Sequence, residues 1–149
     1  KAVSVHPQTP FEPFQAAGFE VTLVPVEHPP LLSYGLRIEG DGATLALTGD
    51  TRYSISERSR DALSGADLLL AEAIVPASMC EHHPLGGHDV DDDGVPRSFG
   101  TKHMTREGAF AMAEELGARD VRLVHLSHKY PAAEAFGPKL AVDGEQIEL

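Results

Sequence analysis

Four short runs rich in Val, Leu and Ala each stop at an ionisable residue: residues 21–28 end at His28, 43–50 at Asp50, 66–72 at Glu72 and 121–125 at His125. Apolar runs of this length, bounded by turn residues, read as buried strands. A polar side chain at the end of such a run belongs to the rim of a sheet, because inside the sheet it would be stripped of water. Imidazole and carboxylate also ligate metals and move protons, so four such rims in one chain predict a site along one edge.

The segments between the runs complete a fold class. Two strands follow one another from residue 19 to 39, interrupted by His28-Pro29-Pro30, since successive prolines cannot continue a central ladder. Gly40-Asp41-Gly42 predicts a tight turn joining residues 36–39 to 43–47 as a hairpin. Ser54-Ile55-Ser56-Glu57 has the spacing of a capping box, with Gly65 placed to stop the helix it would start. Thr105 is the expected N-cap of a second helix that carries Ala109, Ala113 and Leu116 on one face and stops at Gly117. Residues 76–101 are rich in Gly, Pro, His and Asp and read as a long irregular loop, and Asp143-Gly144 predicts a closing hairpin. The expectation is a single unit over residues 1–149, a mixed α/β layer.

Composition narrows the function classes. No stretch approaches the roughly 20 apolar residues that cross a bilayer, and no charged-then-apolar leader opens the chain. With a single cysteine, Cys80, no internal disulfide framework exists, which fits a soluble protein of the reducing cytoplasm. Net charge is −11, so phosphate backbones are repelled at long range, and Arg52, Arg97, Lys102 and Lys129 are too scattered to form a basic patch. The first residue is Lys1, as expected of a chain derived from a longer product.

Five segments occur in one order: His28 with Ser33-Tyr34-Gly35-Leu36-Arg37-Ile38; Leu47-Thr48-Gly49-Asp50-Thr51-Arg52; Leu70-Ala71-Glu72-Ala73; His103-Met104-Thr105 before a helix; and Leu123-Val124-His125-Leu126-Ser127-His128-Lys129-Tyr130. That order resembles the C-terminal half of the metallo-β-lactamase superfamily, in its ribonuclease Z-like branch. The resemblance implies half of a four-layer αββα sandwich, an α/β fold with a mixed sheet and helices on one face. It implies two divalent metal ions, zinc foremost with manganese or iron as alternatives, held by His28, Asp50 and His125, with Asp50 as the bridge. It further implies that Glu72 and His103 form a pair that protonates the leaving group while a metal-bound hydroxide attacks a phosphodiester. Lys129, where the family often has arginine, becomes a candidate phosphate contact.

Three departures shape the expectation. The family's His-x-His-x-Asp-His signature, source of the other four metal ligands, is absent from these 149 residues. His82-His83-Pro84-Leu85-Gly86-Gly87-His88-Asp89 is dense in ligand types but has another spacing and another place in the order. Ala71 and Met104 stand where the family has His and Ser. Only a hairpin separates His28 from Asp50, where family members that process transfer RNA often carry a long arm, so a small phosphodiester or ester is favoured over transfer RNA. A lone half would expose an apolar sheet face, so the expected partner is the chain's own N-terminal half, a complementary chain or a second copy.

Two competing readings remain. Asp89, Asp91, Asp93 and Gly94 match the opening of a calcium loop, but Gly100 stands where a bidentate glutamate is required. Alternatively, the chain is a non-catalytic half-domain that scaffolds a partner and has lost its metal site. Cys80, with no basic partner evident, reads as a buried small hydrophobe.

Overall fold

The computed structural model describes residues 4–82, 88–89 and 93–149. Its N-terminal portion is an antiparallel meander of β1 (Phe14–Ala16), β2 (Phe19–His28), β3 (Leu31–Gly40) and β4 (Ala43–Leu47). Asp41 and Gly42 both have positive φ, as a two-residue hairpin loop matched to the twist of its strands requires. The chain then crosses over through α1 (Glu57–Leu63) to β5 (Leu68–Glu72), parallel to β4. A 3-10 helix (Ala77–His82) and a small antiparallel sheet of β6 (His88–Asp89), β7 (Ser98–Phe99) and β8 (His103–Met104) follow. Helix α2 (Arg106–Glu115) leads into β9 (Asp120–Val124), parallel to β5, and α3 (Ala132–Phe136) comes after it. The large sheet runs β1-β2-β3-β4-β5-β9.

Register divides this sheet into two unlike faces. On one, Val24, Ala46, Leu69, Ala71, Val121 and Leu123 pack with Leu63 of α1, Met112 of α2, Leu116 at the C-terminal cap of α2 and Phe136 of α3 to form the main core. On the other, cross-strand pairing aligns Val21, Ile38, Leu45 and Leu68 in one row and Leu23, Leu36, Leu47 and Leu70 in the next. Leu23, Leu36, Ile38, Leu45, Leu47 and Leu70 are only partly buried and lie outside the packed core. The fold is thus the expected mixed sheet with helices on one face, half of an αββα sandwich.

Some local expectations are corrected. Ser54 does not cap α1; Ser56 does, its hydroxyl accepting from the Ser59 amide at 3.1 Å. Tertiary anchoring selects that position, because the Ser59 hydroxyl donates at 2.7 Å to the Pro25 carbonyl in β2 and fixes where the helix can start. The tail forms no hairpin: a turn stands at residues 143–144, but no strand follows. Ala141 donates instead to the Leu123 carbonyl, and Glu145 pairs with Arg122, so the tail is tied to the edge of β9. By contrast, Thr105 caps α2 as its sequence predicts, and Gly117 follows the helix at positive φ.

Candidate metal centre

Every ionisable residue of the opening pattern lies at or just past the same edge of the sheet. His28 ends β2, Asp50 follows β4 by three residues, Glu72 ends β5 and His125 comes directly after β9. His103, in β8, joins them: its ring lies 5.0 Å from that of His28 and 5.2 Å from that of His125, edge-on to each. Ligand atoms of His28, Asp50 and His103 all come within 4.8 Å of one another, and so do those of Glu72, His103 and His125. The His125 Nδ1 is 2.5 Å from Asp50 Oδ1. Lys129 sits in the exposed turn after β9, its backbone amide donating to the Ser127 hydroxyl.

Glu72 is 1% exposed, an expensive place for a carboxylate unless its oxygens are satisfied. The Thr51 amide donates to Oε1, and His103 Nδ1 lies 3.2 and 3.0 Å from Oε1 and Oε2. Burial pushes the Glu72 carboxyl up, opposed by the bond to His103, and that bond in turn raises His103 above the usual 6.5 against its own desolvation. Both shifts mean that the folded chain holds protons more tightly than the unfolded one. The stabilisation from His103 is therefore complete below about pH 6.5 and is lost as pH rises through the raised folded value. Urea midpoints of the metal-free protein, measured in chelator, are expected to fall between about pH 6 and pH 9, and His103→Gln to flatten that slope. A slope unchanged in the variant would disprove the coupling.

Sequence reasoning missed the residues that hold these groups in place. Thr48 and Thr51 are fully buried. The Thr48 hydroxyl accepts from the Glu72 amide at 3.0 Å, and the Thr51 hydroxyl accepts from the Glu27 amide at 3.1 Å, next to His28. Ser33 donates to the Asp50 carbonyl at 2.8 Å. The available signal was Thr-Gly-Asp-Thr after a strand, where two threonines have no solvent role. Gly49 (φ +61°) and Gly35 let β3 run against this loop, since a Cβ at either would meet backbone oxygens at less than 3.0 Å. His125 takes φ +55°, a conformation a non-glycine residue keeps only when its surroundings impose it.

Outside this cluster, the Asp93 carboxylate is clasped by Arg97 at 3.0 and 2.6 Å, an ion pair rather than a free calcium ligand. Asp91, His83 and the side chains of His82, His88 and Asp89 lie outside the described residues. Cys80 is 1% exposed, with its thiol pushed up by burial to about 11, which fits a packing role. Among the described residues, no helix is long and apolar enough to cross a membrane.

The chain belongs to the β-lactamase superfamily, whose domain model matches residues 1–126. Among solved structures it is similar to the metallo-β-lactamase fold protein YhfI of Bacillus subtilis, with 26% identity and a TM-score of 0.61 over 87% of this chain and 47% of that one. It is also similar to a diphosphatase of the PhnP family (25% identity, TM-score 0.59, 86% of this chain and 40% of that one). The short form of human tRNase Z shares its fold at 21% identity and TM-score 0.57, over 78% of this chain and 39% of that one. The chain therefore spans less than half the length of these relatives. No curated protein sequence matches it significantly.

Proposed function

We propose that this chain is the C-terminal half of a two-metal phosphodiesterase of the ribonuclease Z-like type, active when a complementary half supplies the remaining ligands. The observation that carries this reading is the convergence of His28, Asp50, Glu72, His103 and His125 on one rim. The donors are imidazole nitrogens and carboxylate oxygens, a set that suits zinc, manganese or iron, and a carboxylate can bridge two ions. His28, Asp50 and His125 would hold the metals, which when bound activate water and polarise the phosphoryl oxygens. Glu72 keeps one imidazole nitrogen of His103 engaged, leaving Nε2 to deliver its proton to the departing alkoxide as the phosphorus–oxygen bond breaks. With only a short turn between β2 and β3 and a net charge of −11, a small phosphodiester is favoured over transfer RNA.

The occupant proposed for the bare sheet face is a complementary half bringing its own apolar sheet and the His-x-His-x-Asp-His ligands. Its size follows from the unmatched half of the relatives' length. Alone, the chain is expected to bind an apolar dye and to self-associate; adding the complement should abolish both. Leu47→Arg, in the centre of that face, should weaken association at least about tenfold. A sharply melting, dye-free monomer would overturn the pairing. The second reading is a half-domain that scaffolds a partner without catalysis. Metal content and phosphodiesterase activity of the assembled protein, compared with Asp50→Ala, separate the two: activity lost with Asp50 supports the enzyme, and no metal and no activity supports the scaffold.

A further inference from the structure

We propose that this half, without its complement, holds one divalent transition-metal ion between His28, Asp50 and His103, with His103 serving as a ligand through Nε2. The proposal shares only His28 and Asp50 with the metal reading above and assigns His103 a second role there.

The geometry favours this trio over the alternatives. One ligand atom from each of the three, a ring nitrogen of either histidine and a carboxylate oxygen of Asp50, already lies within 4.8 Å of the others, close to the spread of donors around a zinc-like ion with bonds of about 2.0–2.2 Å. The competing trio needs Glu72 as a direct ligand. Glu72 is buried and its oxygens are already committed, Oε1 to the Thr51 amide and both to His103 Nδ1. A carboxylate bonded to the far nitrogen of an imidazole is the usual support for a histidine whose other nitrogen binds metal, fixing both tautomer and ring orientation. Glu72 is therefore placed as the outer partner of a His103 ligand. Asp50 is supported similarly, because one of its oxygens engages His125 Nδ1 and the other remains for an ion.

The arrangement gives His103 two alternating uses. In the half alone, two imidazoles and one carboxylate form a three-donor set with an open position, sufficient for one ion. When a complement adds four ligands on the facing wall, His28, Asp50 and His125 gain better partners for two ions, and His103 is released with its Glu72 contact intact.

Titration of the purified chain with Co2+, read by visible absorption, and with Zn2+ against a chromophoric chelator tests this, with oligomeric state measured in parallel. One ion per chain is expected. His103→Ala should weaken binding at least about 100-fold, whereas Glu72→Gln and His125→Ala, which touch the ligands only from behind, should each weaken it about 10- to 100-fold. An ion held directly by His28, Asp50 and His125 would reverse the order, with His125→Ala the more severe, and would overturn the proposal. Should His103→Ala fail to fold by circular dichroism, the paramagnetically shifted imidazole protons of the unsubstituted Co2+-bound chain decide: signals from His28 and His103 support the trio, and signals from His28 and His125 refute it. No binding by the chain alone also refutes it, while leaving the two-half reading intact. That reading fails separately, if the assembled protein takes no metal.

Discussion

Replacing His103 with Ala in the assembled protein is expected to lower turnover of an alkyl phosphodiester by about 10²- to 10⁴-fold, the range a positioned general acid supplies. Metal content should remain unchanged if His103, as proposed, acts on the leaving group in the assembled state. The effect should depend on that leaving group. A nitrophenolate departs without protonation, so a nitrophenyl diester is expected to lose less than about tenfold, whereas an alkoxide departs only with a proton in hand. Glu72→Gln should show the same pattern more weakly, since it removes the charge behind the imidazole but keeps a hydrogen-bond acceptor. Equal losses on both substrates would show that the pair shapes the site rather than moving a proton.

Gly49→Ala is expected to destabilise the chain by about 2–4 kcal/mol and to displace Asp50. Two effects combine at this position. The backbone is left-handed, where a side chain adds roughly 1–2 kcal/mol of strain, and the new methyl would be driven against the Tyr34 carbonyl oxygen, which belongs to a rigid strand. Gly18→Ala provides the control, since Gly18 has φ +89° but its Cβ would meet nothing within 4 Å. The difference between the two variants in urea denaturation isolates the close approach of β3. A metal-binding defect in Gly49→Ala alone would show that this approach sets the position of Asp50.

The parts of this molecule legible in the sequence are those governed by short-range rules. The strand runs, the Gly40-Asp41-Gly42 turn and the Thr105 cap each follow from local sterics and hydrogen bonding, and each stands where the residues predict. The rim residues were legible because an ionisable group ending an apolar run has few places to go. Ser56 was chosen over Ser54 by a contact to β2, and the tail forgoes its hairpin because Glu145 and Ala141 find partners at β9. Thr48 and Thr51 stayed hidden for the same reason: their partners, Glu72 and Glu27, lie more than twenty residues away. No window of sequence shows those bonds.

The large sheet joins strands in two ways, and the difference orders events in time. The β1-to-β4 meander closes through turns of a few residues, whereas β5 meets β9 only after roughly fifty residues of intervening chain have been gathered. Local pairing is fast and distant parallel pairing slow, so His28 and Asp50 should reach their places early in folding, while His125 arrives with the last and slowest step. An ion present during folding would thus meet an incomplete set of donors first, and the rate at which β9 docks would govern how soon His125 joins them.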